Sequence, residues 1–298
     1  MPRFAQLVVG PAGCGKSTYC ATIQAHCEAI RRTVDVVNLD PAAEYFEYNP
    51  LADIRDLIHV DDVMQDESIH LGPNGGLIFC MEYLNQNLDW LDSVLGDCEG
   101  DYLLFDCPGQ IELYSHLPIM PKIVEHLQRK WDFRLVSVFI LDARFLVDSS
   151  HFMAGVLSAL SAMVSLATAH VNVMSKMDLL SEKKQKLVIA RYLNPDMNYF
   201  FEQDLAEHSS RADCKEKHSR LTIALANLVE RYSVVHFMPL NRENEETVAD
   251  ILRQIDDCLQ YDEEVDPPNR TFDEAERELA VLAGDDDNND DENLRLTG

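Results

Sequence analysis

Few folds can accommodate the octet Gly10-Pro11-Ala12-Gly13-Cys14-Gly15-Lys16-Ser17 in the setting where this chain carries it. The spacing is G-x-x-x-x-G-K-[ST]. It follows the apolar run Phe4-Ala5-Gln6-Leu7-Val8-Val9 and opens a stretch of helical composition that continues to about Ile30. Strand, tight loop and helix are therefore expected in that order. Small residues let successive backbone N–H groups turn inward, and the helix start adds positive potential, so the loop is suited to phosphate. Lys16 would reach the outer phosphates and the Ser17 hydroxyl a Mg²⁺ ion, with Gly13, Cys14, Gly15 and Thr18 completing the nucleotide-binding set. Cys14 has two readings, a thiol of lowered pKa at a helix start or an occupant of a small-residue slot, and the second is favoured.

Strand-like apolar runs return at 34–39, 102–105, 135–141, 171–174 and 234–237, giving six strands with the first. Helical segments are expected near 79–95, 112–129, 150–167, 183–192, 217–231 and 245–260. Strands that alternate with crossovers predict an α/β fold, a doubly wound and mostly parallel sheet flanked by helices, of the P-loop NTPase type.

Ligands of such sheets bind at the carboxyl ends of the strands, and three of these ends carry chemistry. Leu103-Leu104-Phe105-Asp106-Cys107-Pro108-Gly109-Gln110 ends a strand in an acid suited to the Mg²⁺ shell. Gly109 follows, with no Cβ to keep its amide from a γ-phosphate, and then Gln110, whose amide can orient an attacking water. Leu39-Asp40-Pro41-Ala42 brings Asp40 to the same edge, as a magnesium or water-polarising carboxylate or as an Asx turn before Pro41. Val171-Asn172-Val173-Met174-Ser175-Lys176-Met177-Asp178 ends in S-K-x-D. A carboxylate at Asp178 can accept from both N1–H and the exocyclic amine of guanine, a donor pair adenine lacks, so GTP and GDP are the expected nucleotides. Lys176 would lay its methylene stem along the base. Ser175 stands where the usual motif has Asn.

Charge and cysteine content narrow the partners. A formal net charge of -27 repels polyanions, so neither direct nucleic-acid binding nor membrane binding is expected, and any phosphate must be held by local donors. The 8 cysteines form no CxxC pair, and no signal peptide precedes them, which points to free thiols in a reducing compartment. The uncharged stretch 152–169 reads as a buried helix, with Leu157, Leu160, Met163 and Val164 as core or as a partner surface. From Asp262 to Gly298 there are 14 Asp+Glu against three Arg, so two regions are expected: a nucleotide-binding domain over 1–261 and an acidic, disordered tail over 262–298.

With Gly72-Pro73-Asn74 standing between the second strand and the D-x-P-G-Q strand, the chain resembles the GPN-loop GTPases. The resemblance runs from Pro2 to about Tyr261. It is carried by Val37-Asn38-Leu39-Asp40-Pro41-Ala42-Ala43-Glu44, Gly72-Pro73-Asn74-Gly75-Gly76 and Phe105-Asp106-Cys107-Pro108-Gly109-Gln110-Ile111-Glu112-Leu113, and the wording is most similar to the third eukaryotic paralogue. It implies a Mg²⁺-dependent GTPase in which Lys16, Asp40, Asn74 and Gln110 act in catalysis, and a dimer in which Asn74 reaches toward the partner's phosphates. It further implies a heterodimer with another paralogue, a homodimer being the alternative. RNA polymerase II subunits or assembly factors are the implied clients, with a role in polymerase assembly and nuclear import and a cytoplasmic location from which the protein shuttles to the nucleus. A nucleotide-dependent assembly scaffold with little intrinsic hydrolysis is the second reading. A small-molecule kinase is disfavoured, because S-K-x-D is present and an arginine-rich lid is not. Phe237-Met238-Pro239-Leu240 lies where many GTPases carry Ser-Ala, which leaves base contact from that loop open.

Overall fold

The computed structural model describes residues 3–66, 70–97, 102–147, 149–180 and 236–261. The chain divides into two compact units, Met1–Leu259 and Gln260–Gly298, and the described strands and helices all belong to the first. The strands are β1 (Arg3–Val9), β2 (Asp35–Asn38), β3 (Pro50–Asp53), β4 (Tyr102–Asp106), β5 (Phe133–Asp142), β6 (Ala169–Ser175) and β7 (Phe237–Pro239). They form one sheet in the order β3-β2-β4-β1-β5-β6-β7, and all neighbours are parallel.

Among the described residues the helices are α1 (Lys16–Ala29), α2 (Val60–Gln65), α3 (Pro73–Gln86), α4 (Leu88–Asp97), α5 (Glu112–Ser115), α6 (Ile119–Trp131), α7 (Ser149–Leu166) and α8 (Glu245–Leu259). Alternation along the central strands sends Leu7, Phe105, Phe139 and Leu141 into a core shared with α3 to α7. Between them along the same strands lie Val8, Leu104, Val138 and Ile140, which are also fully buried. Burial on both faces is why these strands read as continuous apolar runs. Across the sheet's end, Arg32 clasps Asp256 of α8 through two hydrogen bonds of 2.6 and 2.9 Å, with its guanidinium 4.2 Å from the Tyr102 ring.

The doubly wound sheet is as expected, with a seventh strand added among the described residues. Strand β3 went unread because it is a short, half-buried edge that begins at Pro50, a residue tolerated only at such positions. Of the strand expected at 234–237, residues 234 and 235 lie outside the described residues, and the described strand is Phe237–Pro239. The single helix expected near 79–95 is two, α3 and α4, broken at Asn87, whose side-chain amide donates to the Tyr83 carbonyl at 2.8 Å. The one expected over 112–129 is interrupted before Pro118, which precedes α6. Helices expected at 183–192 and 217–231 lie outside the described residues. Leu157, Leu160 and Met163 are half-buried and Val164 is exposed, whereas Phe152, Val156, Ala159 and Ala162 supply the core face of α7.

Candidate active site

The phosphate loop leaves β1 at Gly10, where φ is 146° and an added Cβ would sit 2.3 Å from the Ile140 carbonyl oxygen. Gly13 and Gly15 also have positive φ, which L side chains rarely adopt. Helix α1 starts after Gly15 with no side-chain cap and no acid in its first turn, so its terminal donors are not taken up by the protein's own side chains. Lys16 is buried at 7% exposure, and its ammonium donates to the carbonyls of Gly10 and Pro11 at 3.3 and 3.4 Å.

The end of β6 braces the loop from outside. The Ser175 hydroxyl donates to the Cys14 carbonyl at 2.5 Å and lies 3.2 Å from that of Leu141, while the Lys176 ammonium donates to the Gly13 carbonyl at 2.5 Å and to Asp142 at 3.0 Å. Because the peptide is trans and planar, holding the Cys14 carbonyl outward sends the Gly15 N–H to the opposite side. Serine, though shorter than asparagine, therefore still ties the S-K-x-D strand end to the phosphate loop. Asp142 also takes two side-chain hydrogen bonds from Arg144. Burial acts to raise the Asp142 pKa, but Arg144 and Lys176 outweigh it and hold it below the usual carboxylate value.

Beside this brace a cavity of about 640 Å³ is lined by Gly15, Thr18, Tyr19, Lys176, Asp178 and Leu179, together with residues 240–243 after β7. The loop after β7 thus borders the pocket without a Ser-Ala pair. Arg242, in that border, forms an ion pair with Glu47. Asp178 is exposed and sits in a single 3₁₀ turn, Met177–Leu179.

At the other end of the loop, Asp106 is 1% exposed. Its Oδ2 accepts from the Tyr48 hydroxyl at 2.8 Å, and its Oδ1 is buried without a hydrogen-bond partner. Burial raises its pKa, with the Ser17 hydroxyl, Tyr48 and Lys16 pulling the other way and Asp40 adding to the rise. Asp40 is raised by burial too, opposed by the Ala42 amide and by Lys16. Its carboxylate accepts from the Ala42 N–H at 3.0 Å, so the Asx turn is formed, and the group also lies in the field of Lys16 and Asp106. Gly109 packs on the phosphate loop, where a Cβ would lie 2.9 Å from the Lys16 ammonium. The Gln110 side-chain amide donates to Asn74 Oδ1 of the same chain at 3.1 Å, while its own Oε1 is buried and unpartnered. Cys14 is buried, and burial pushes its thiol up to about 11, which fits occupancy of a small-residue slot better than a thiol of lowered pKa.

Among the described residues no three His, Cys, Asp or Glu side chains are grouped to hold a metal by themselves. A cation that arrives with phosphates needs only one or two protein ligands. An orphaned carboxylate oxygen with the Ser17 hydroxyl close to its group fits that donor set.

Sequence reasoning missed Tyr48, Asp142 and the pocket border at 241–243. Asp142 carried the same signal as Asp106, an acid closing an apolar strand, but Tyr48 lies in an irregular stretch with no pattern to betray it.

A family model, that of a conserved hypothetical ATP binding protein, matches residues 8–261. A GPN-loop GTPase 3 from Danio rerio is 53% identical over 283 residues, covering 92% of this chain and 97% of that protein. One from Xenopus tropicalis is 54% identical over 266 residues, covering 89% and 91%. The crystal structure of a GTPase in apo form from Pyrococcus abyssi superposes with a TM-score of 0.69 at 22% identity, covering 85% of this chain and 96% of that one, a likeness of fold. Identity above one half over nearly the whole of both chains, together with a phosphate loop, an S-K-x-D strand end and a Gly-Pro-Asn segment, means that this chain belongs to the GPN-loop GTPases.

Proposed function

We propose that this GTPase binds Mg²⁺-GTP with its phosphates in the Gly10–Ser17 loop and its base in the cavity beside Asp178, and hydrolyses it with water oriented by Gln110. The observation that carries the reading is the direct bracing of the phosphate loop by Ser175 and Lys176, which joins the phosphate end and the base end into one site. In this reading Gly13, Cys14, Gly15 and Thr18 frame the nucleotide, Lys16 meets the outer phosphates, and the Gly109 amide approaches the γ-phosphate. Ser17 and Asp106 Oδ1 would hold the cation, with Asp40 close by. When bound, that cation neutralises charge on the transferring phosphoryl group. Gln110 has one buried acceptor atom without a partner, as a water-orienting amide requires.

Two measurements test this. Mg²⁺-GTP should bind more tightly than Mg²⁺-ATP, and equal affinities would remove Asp178 from base recognition. Gln110→Leu should retain GTP binding while single-turnover hydrolysis falls about 100-fold, within the range for a lost proton-handling or water-positioning group. Unchanged hydrolysis would refute the role.

The protein is further proposed to work as a dimer, as a heterodimer with another GPN-loop paralogue in preference to a homodimer, in assembly and nuclear import of RNA polymerase II. It would act from the cytoplasm and shuttle to the nucleus. Likeness to GPN-loop GTPase 3 proteins supports this, and so does the exposure of Asn74 at the start of α3. Light scattering of the purified chain mixed with candidate paralogues, with and without GTP, tests it. The second reading, a slowly hydrolysing assembly scaffold, is favoured by one contact: one of the two N–H donors of the Gln110 amide is already taken by Asn74 in the single chain.

A further inference from the structure

We propose that Tyr48 is a positioning residue that presets Asp106 for the divalent cation carried by the nucleotide, an inference that rests on the assignment of Ser17 and Asp106 to that cation. Tyr48 is 5% exposed and lies between β2 and β3, outside the motifs that name the site. Its hydroxyl has one carboxylate oxygen of Asp106 at 2.8 Å and leaves the other bare in a buried place. Without that hydroxyl no other described hydrogen bond holds Oδ2, and the carboxylate is freer to rotate in the fields of the Ser17 hydroxyl and the Lys16 ammonium. With Oδ2 fixed by Tyr48, Oδ1 is kept available for a metal. Hydrogen-bonded partners of ligating carboxylates act in this way, and their loss typically costs about 10–100-fold in metal affinity.

The segment bearing Tyr48 is itself held. The Phe46 ring stacks on Tyr48 with centroids 4.9 Å apart, and the Arg55 guanidinium lies 4.7 Å from the Phe46 ring. Arg55 also donates to the Ala43 carbonyl at 2.9 Å and forms an ion pair with Asp53, which in turn accepts from Asn38 at 2.8 Å. Phe46 and Arg55 thus support the tyrosine without a described hydrogen bond to Asp106, whereas Asn38 is paired with Asp106 across the sheet.

The probe is Mn²⁺, titrated into the full chain with GDP and followed by electron paramagnetic resonance, alongside GDP affinity in EDTA and Tm. Tyr48→Phe keeps the ring stack and removes only the hydroxyl. It should raise the Mn²⁺ dissociation constant about 10-fold or more, with GDP affinity in EDTA unchanged. Arg55→Ala, which loosens the segment from a distance, should give a smaller rise in the same constant, and it carries the test if Tyr48→Phe does not fold. An unchanged Mn²⁺ constant in these variants, with a large loss in Asp106→Asn, overturns the role of Tyr48 and leaves the cation assignment standing. Should Asp106→Asn and Ser17→Ala also bind Mn²⁺ normally, the cation assignment itself falls.

Discussion

A methyl group on Gly109 would lie 2.7 Å from the Ala12 Cα and 2.9 Å from the Lys16 ammonium. The first neighbour is backbone and cannot swing aside, so Gly109→Ala must push the D-x-P-G-Q turn off the phosphate loop. A displacement near 1 Å at a reacting centre costs about 100-fold in rate. Hydrolysis measured with saturating GTP should fall by that order, while Tm changes little; near-normal turnover would show that the turn yields without consequence. Asp178 poses the complementary case, because it is exposed and fills no core. Asp178→Asn should therefore leave folding intact and weaken GTP relative to ATP by about 10–100-fold, the worth of a hydrogen-bond pair to a charged group at about 1.5–3 kcal/mol. Competition binding against both triphosphates measures it.

Between elements, Asp92 of α4 accepts from three groups of α6: His126 and Trp131 on Oδ1 at 2.8 and 2.7 Å, and Lys130 on Oδ2 at 2.6 Å. Burial acts to raise the Asp92 pKa, but these donors prevail and hold it at about 2, below its ordinary 3.8. A carboxyl depressed in the fold stabilises it above its unfolded pKa, and that contribution is lost as pH falls through the folded value. Asp92→Asn should cost about 1–2 kcal/mol at neutral pH, and the Tm gap to wild type should hold from pH 7 to 5 and close between about pH 4 and 2. A gap independent of pH would mean that shape and not charge does the clamping. Such clamps also mark what a sequence reveals of a fold. Strands buried on both faces announce themselves as apolar runs, which is why β1, β4, β5 and β6 were legible. The edge strand β3, half-exposed and opened by Pro50, carries no such run. In the candidate site, Lys16, Ser17, Asp106, Gly109 and Gln110 could be named from sequence because phosphate chemistry dictates residue type and spacing together, and the fold brings Lys16, Asp106 and Gly109 close to one another. Tyr48 was not, because a hydroxyl that steadies a carboxylate can arrive from any stretch of chain. Nor could spacing foretell that Gln110 would meet Asn74, 36 residues away, within one chain.

At the scale of the whole molecule, a chain of net charge -27 must admit a triphosphate to its site. The two fields differ in range. In the proposed site, local attraction from Lys16 and the α1 terminus would act over a few ångströms and survive in salt, whereas repulsion from distant carboxylates crosses solvent and is screened. The screening length is about 30 Å at 0.01 M ionic strength and about 8 Å at 0.15 M. At low salt, an approaching GTP feels most of the negative surface; at physiological salt it feels little beyond the mouth of the site. The association rate of a fluorescent GTP analogue should therefore rise with ionic strength over that interval, opposite to the behaviour of basic phosphate-binding proteins. An uncharged guanosine analogue should associate at a rate indifferent to salt, which separates screening from any change in the pocket. If the triphosphate slows instead, the local donors dominate at long range as well, and the acidic surface is turned away from the path that the nucleotide takes.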